Sequence, residues 1–289
     1  MKHTNKMLLV FIAPALLFFT IFQFMPVILG FYYSLTDWNG LSRTHSFVGL
    51  DNFRMLVSDI VFWDSFVFTL RYVVVMVILS NVIALLLALL VESRRRSKGT
   101  LRVIFYMPNM ISMIVGGLMW NFIFTRVVFY MADNWGWSFL DRSWIGNPDS
   151  AFIAIIIVSI WGSAGYLMLI YMAALQGVPT HLKEAATLDG ASPFRVFRSV
   201  TLPFIMHAVT ICIFLAINSN FQVFDVIFSL TGGGPGRATQ SVSMNIFNEA
   251  FRGNIRFGYA TAQSTVVLAI VFMITIVQLA VMKRRELES

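Results

Sequence analysis

The 289-residue chain is 58% hydrophobic and only 12% charged, with a mean hydropathy of +0.77. That charged share is about half of what a water-soluble domain carries, so no single soluble core hides this apolar surface and lipid is the solvent for most of it. The net charge of +7 sits in short clusters beside apolar runs, which reads against nucleic acid, and one cysteine (Cys212) with four scattered histidines excludes a disulfide framework or a Cys/His metal cluster.

In chain order, Lys2 and Lys6 precede a first apolar run over 8–33. It is too long for a signal-peptide core and no small-residue cleavage site follows, so it is read as a retained first span. A second run covers 66–91 and ends at Arg94, Arg95, Arg96, Lys98 and Arg102. The third covers 103–124, with Pro108, Gly116 and Gly117 inside it, and the fourth covers 151–175, with Gly162 and Gly165. A less apolar loop over 176–201 carries Lys183, Arg195 and Arg198. The fifth run covers 202–230, and the sixth covers 259–282 before Lys283, Arg284 and Arg285. A hydrocarbon core needs about 20 apolar residues per helix, so the expectation is an all-α polytopic membrane protein with six spans in a single domain over 1–289.

The connecting segments alternate in charge. The clusters named above hold most of the 21 Lys and Arg, whereas the opposite segments carry Asp37, Asp51, Asp59, Asp64, Asp133, Asp141 and Asp149. The positive-inside rule then puts both termini in the cytoplasm and requires an even number of spans. Trp38, Trp63, Trp135, Trp137 and Trp144 fall at outer helix ends and read as interfacial anchors without a binding role. The prolines and glycines within runs fit either close helix packing or helices broken beside a solute path.

The loop over 176–201 has a clear local grammar. Pro179 and Thr180 open a short helix with Thr180 as its N-cap, and Leu182, Ala185 and Ala186 share a face. Gly190 falls where a C-cap wants positive φ, and Ser192-Pro193 starts a second helix. An alanine face suits close docking against a partner; a plain connector between spans is the alternative.

Glu184-Ala185-Ala186, then Gly190, Val200 and Leu202-Pro203, resembles the EAA loop of permease subunits of bacterial ABC importers, with Val200 where that family usually has Ile. Phe224-Asp225 followed by Leu230-Thr231-Gly232-Gly233-Gly234-Pro235 resembles the carbohydrate branch of that family, the maltose and glycerol-phosphate type. So do the stretches 34–40 and 47–53 and Tyr106-Met107-Pro108. The resemblance implies that Glu184, Ala185, Ala186, Asp189 and Gly190 contact a cytoplasmic ATPase. It implies a second homologous permease, two ATPase copies that bind the ATP and Mg, an extracytoplasmic solute-binding protein, and a carbohydrate cargo, with an oligosaccharide expected. The chain itself is then no enzyme and holds no cofactor, in a bacterial or archaeal cytoplasmic membrane. An ion-coupled secondary transporter or channel is the alternative; it would need mid-membrane carboxylates, and Asp225 is almost the only one in a span.

Polar groups inside spans normally face a bundle interior or a wet cavity. Ser159, Ser163 and Tyr166 in the fourth span, Ser219 and Asn220 in the fifth, and Asn109 in the third are the candidate solute-path residues; helix–helix hydrogen bonding is the competing role for each. Alignment through the loop matches Tyr166 and Asn220 to an aromatic and an amide of the maltose-type permease. Asp225, near the outer end of the fifth run, is expected in a structural role.

Overall fold

The computed structural model describes residues 2–94, 96–136, 142–253 and 255–287. Arg95, Trp137 and Asp141, and the side chains of Lys2, Lys6, Trp135, Lys283, Arg284 and Arg285, lie outside the described residues. The described chain is helical, and a single antiparallel bridge, Thr36 to Phe47, is the strand-like pairing within it.

Helix α1 (Lys2–Phe19) passes through a π turn into α2 (Met25–Ser34), and α3 (Asp51–Val57) leads into α4 (Ile60–Glu92). Asp59 starts α4: its Oδ1 accepts from the backbone N–H groups of Val61 and Phe62 at 2.9 and 3.2 Å, which satisfies two otherwise unpaired donors. Helix α5 (Lys98–Tyr106) stops at a 3-10 turn, Met107–Met110; α6 (Met113–Phe122) then continues through a π turn into α7 (Val128–Trp135). Helix α8 (Pro148–Gln176) is capped by the Asn147 side chain, which accepts from Asp149 N–H. The short α9 (Thr180–Leu188), α10 (Pro193–Val196) and α11 (Leu202–Phe204) lead to α12 (Met206–Phe221). Then come α13 (Asp225–Leu230), α14 (Val242–Phe251) and α15 (Phe257–Leu287).

Five described stretches are long and apolar enough to cross a membrane: Phe11–Ser34, Ile60–Glu92, Met113–Asn134, Pro148–Gln176 and Phe257–Met282. A sixth is the bent pair Pro193–Phe204 and Met206–Phe221, which turn 71° relative to each other. Pro203 lies at this bend; it has no N–H, and its ring collides with the carbonyl one turn back.

Two expected boundaries need correction. The third span starts at Met113, not near 103, because Pro108 and the extended backbone at Ile111 and Ser112 separate α5 from α6. The fifth run is no continuous helix over 202–230. After the bend at Ile205, α12 spans 16 residues, about 24 Å of rise, and the chain then breaks at Gln222–Phe224 before α13 begins.

The chain divides into two compact units. The first holds residues up to Trp63 together with Asn245–Ile270. Here the stretches 34–40 and 47–53 fold on each other: the Asn52 Nδ2 donates to the carbonyls of Ser34 and Thr36, both at 2.8 Å. Trp38 stacks on Tyr33 at 4.2 Å and packs edge-on to Phe257. Gly258 N–H donates to Trp38 O at 2.7 Å, and a Cβ at Gly258 would fall 2.1 Å from Thr36 O, so only glycine permits this approach. Trp38 and Trp63 thus serve loop packing, Trp63 donating its indole N–H to Leu56 O at 3.1 Å.

The second unit holds Asp64–Met244 and the remainder of α15. Helix α8 is its spine. One end packs Ile155, Val158 and neighbours against Tyr72, Met76, Phe221 and Ile227; the other packs Met168, Tyr171 and Leu175 against Ala84, Ala88, Ile205 and Cys212. Between apolar helices in lipid, close backbone approach replaces the hydrophobic drive. A Cβ at Gly165 would fall 2.1 Å from Phe105 O, and one at Gly117 1.9 Å from the Ser229 Oγ. The span glycines therefore serve packing, whereas Pro108 marks a break.

Candidate functional site

The breaks at Met107–Ser112 and Gln222–Phe224 border the same cavity in the second unit. Its volume is about 270 Å³, and its lining includes Tyr72, Asn109, Ser159, Ser163, Ser219, Asn220, Gln222, Phe224 and Asp225. Backbone freed from a helix is tolerated at membrane depth only where it is buried in protein or lines a polar space.

Each wall is fixed locally. Ser159 and Ser163 lie one turn apart on α8, and the hydroxyl of Tyr72 on α4 donates to the Ser159 Oγ at 2.9 Å. Ser163 donates back to Ser159 O at 2.7 Å. The Asn109 amide donates to Gly162 O at 3.1 Å, tying the 3-10 turn to α8. On α12, Ser219 and Asn220 both donate to Ala216 O, at 3.3 and 2.7 Å. Helix α13 is held to α6 by the Asn121 Nδ2, which donates to Leu230 O at 2.7 Å, and by the Ser229 hydroxyl, 3.4 Å from Met113 O.

The cavity thus gathers five of the six expected path residues: Asn109, Ser159, Ser163, Ser219 and Asn220. Tyr166 is not among them. It continues the α8 stripe one turn beyond Ser163, is 43% exposed, and lies outside the lining. Sequence reasoning missed Tyr72, because an isolated tyrosine in an apolar run gives no periodic signal. Asp225, expected in a structural role, lies in the first turn of α13 and also borders the cavity. The Asp225 carboxylate is exposed, lines the cavity, and makes no hydrogen bond or ion pair among the described residues; its main-chain carbonyl accepts from the Ser229 hydroxyl at 2.6 Å.

The second site is the loop over 176–201. Pro179, not Thr180, is the N-cap residue, and no side chain caps α9. The other end follows the expected pattern. Gly190 has φ +78°, its N–H donates to Thr187 O, and Ala191 N–H donates to Ala186 O, both at 3.0 Å, a Schellman closure. Ser192 caps α10 by accepting from Arg195 N–H, with Pro193 at the first helical position. Lys183 and Thr187 line a cavity of about 460 Å³ shared with Glu92, Leu175 and Phe197, where Glu92 pairs with Lys98 at 2.6 Å. The opposite face of α9 presents Glu184, Ala185 and Leu188, the last 88% exposed, with Asp189 and Gly190 exposed beyond it. Leu182 and Ala186 are half-buried, so the free face is turned from the expected Leu182–Ala185–Ala186 stripe toward Leu188.

Apolar helices of spanning length, interrupted around a polar cavity, define a polytopic membrane transport subunit. The chain belongs to the family of binding-protein-dependent transport system inner membrane components, whose model matches residues 80–285. As a member it is a transport component of a multi-pass type rather than an enzyme. It is 37% identical over 280 residues to the probable starch degradation products transport system permease protein AmyD of Thermoanaerobacterium thermosulfurigenes, covering 96% of this chain and 94% of that one. It is 34% identical over 276 residues to the trehalose/maltose transport system permease protein MalF of Thermococcus litoralis, covering 94% and 93%. A solved bacterial ABC transporter for the import of the acidic polysaccharide alginate has a chain of the same fold, with TM-score 0.82 at 22% identity over 98% of this chain and 96% of that one.

Proposed function

We propose that the chain is the permease subunit of an ATP-driven importer and forms half of a translocation pathway for a carbohydrate, an oligosaccharide being the expected cargo. The observation that carries this reading is the cavity at the paired helix breaks, walled by amides, hydroxyls and the aromatic rings of Tyr72 and Phe224. Hydroxyl-rich solutes need such donors and acceptors, with ring faces for their C–H surfaces. The names of relatives support the cargo class: one transports starch degradation products and another trehalose and maltose.

The energy source is assigned to partner ATPases that hold the ATP and Mg. The exposed Glu184, Ala185 and Leu188 of α9, with Asp189 and Gly190, form the docking surface for one of them. The support for this role is the resemblance of 184–190 to the EAA loop, carried on a short helix that Gly190 closes and whose outer face is exposed. When the ATPases close, the docked α9 moves as a unit; the bend at Ile205 relays that motion to α12, and α12 carries Ser219 and Asn220 at the cavity wall. A second permease supplies the other half of the path, and a solute-binding protein delivers cargo from outside. Both termini and the 176–201 loop are assigned to the cytoplasm from the distribution of Lys and Arg.

Uptake of a panel of labelled sugars by cells carrying the complete transporter tests the cargo. Uptake of at least one oligosaccharide, reduced about tenfold or more by Asn220→Ala or Ser159→Ala, is expected. Uptake of no carbohydrate by the wild type would overturn the assignment.

A further inference from the structure

The space of about 460 Å³ beside α9 is walled by the ends of α4 and α8 and by the 176–201 loop. Two of its polar groups have no use inside the protein. Lys183 is half-buried on its wall, and the ammonium makes no hydrogen bond or ion pair among the described residues. Thr201 is only 6% exposed, and its hydroxyl likewise has no partner among them. The other polar groups are engaged. Ser93 and Thr187 donate to backbone carbonyls, and Glu92 is neutralised by Lys98 at 2.6 Å, with its second oxygen 3.5 Å from the Gln176 amide nitrogen. The space therefore lacks a negatively charged acceptor. A half-buried ammonium beside a buried hydroxyl matches a phosphate, whose oxygens accept charge-assisted hydrogen bonds from both.

The surroundings indicate which phosphate. Leu89, Leu175, Val196 and Phe197 make part of the wall apolar. The exposed apolar surface of α4 runs through Leu86 to Leu90, two residues before Glu92, and Phe204 is exposed on α11. Lipid therefore reaches the edge of the space, where spans end and headgroups begin. Arg94, Arg195 and Arg198 are exposed and adjoin lining residues in sequence; basic clusters beside spans draw anionic headgroups. A zwitterionic headgroup would bring a second cation, for which Glu92, already paired, is no partner.

We propose that this space holds the phosphate of an anionic phospholipid, with Lys183 and Thr201 as its donors, so that a lipid joins the ends of α4 and α8 to the loop. Placing that lipid in the cytoplasmic leaflet rests on the topology assigned above. The site itself does not, and lipid discs of one composition on both faces test it without that assignment.

The complete transporter, carrying Ser97→Cys labelled with a small fluorophore, is placed in such discs. Ser97 lies outside the lining, its side chain makes no hydrogen bond among the described residues, and it precedes Lys98, which touches Glu92. A chain with only its buried Cys212 supplies the background. Quenching is compared for phosphatidylglycerol and phosphatidylcholine bearing a nitroxide high on one acyl chain, each diluted in unlabelled phosphatidylcholine. The glycerol lipid should quench equally at about fivefold lower mole fraction. Lys183→Gln should bring the two lipids to within about twofold of each other, and Thr201→Val should reduce the preference. Lys183→Arg should keep it, as should Arg195→Gln, which removes an equal charge from the same loop but outside the lining. No preference in the chain with Lys183 intact, or equal losses in Arg195→Gln and Lys183→Gln, would overturn the site, the second result showing diffuse attraction only. Millimolar inorganic phosphate at fixed ionic strength should leave the preference unchanged; its loss would make free phosphate the occupant and overturn the lipid.

Discussion

At the residue scale, the chain separates positions where a side chain is excluded by a neighbour from positions where it is excluded by backbone conformation. Gly165 is of the first kind, since an added Cβ meets Phe105 O and the backbone of Tyr106. Gly165→Val should force α5 from α8 and cost about 1–3 kcal/mol, read as a lower melting temperature of the purified protein. Gly190 is of the second kind: φ is +78°, and no atom lies within 4 Å of an added Cβ. Gly190→Ala should cost about 1–2 kcal/mol through local strain alone, leave the spans intact, and act mainly on the loop. Tyr72→Phe removes the donor to Ser159 in a fully buried setting and should cost about 1 kcal/mol. An unchanged melting temperature in Tyr72→Phe would mean that the hydroxyl does not hold α4 to α8.

At the element scale, the 176–201 loop was the most legible part. Gly190, Ser192 and Pro193 announce their roles by chemistry, because few residues tolerate positive φ or serve as caps. The interrupted spans were less legible. Gln222-Val223-Phe224 contains neither proline nor glycine, so a hydropathy window runs through it unbroken. The break becomes visible only with the contacts of α13 on α6 through Asn121 and Ser229. Pro108 was a visible signal, but apolar residues on both sides drew the third span too early. Tyr166 shares its stripe with Ser159 and Ser163, yet no local pattern shows that the cavity stops one turn short of it. The loop also carries its own test. Glu184→Lys and Leu188→Asp should leave the protein in the membrane and abolish co-purification of the ATPase. Retention of the ATPase by both variants would refute docking through this face.

At the scale of the whole molecule, six apolar runs announce a membrane protein but leave its energy source open. Membership of the binding-protein-dependent family makes it a transport component. Coupling to ATP follows if the exposed face of α9 and the polar cavity belong to one machine. Ile205 and Pro203 lie between them in sequence, and the 71° bend there is the structural joint through which loop motion would reach α12. Stiffening or displacing that joint should therefore uncouple ATP hydrolysis from transport without removing either partner. Pro203→Ala is expected to preserve ATPase co-purification and lower uptake per ATP hydrolysed, whereas an unaltered ratio would argue against the bend as the relay.

The most direct measurement of the central claim is solute entry into sealed vesicles carrying this chain, its permease mate, the ATPases and the binding protein. Oligosaccharide accumulation that requires ATP and the ATPase subunits, and that persists when ion gradients are collapsed, is the predicted result. Accumulation driven by an ion gradient in vesicles lacking the ATPase would contradict it.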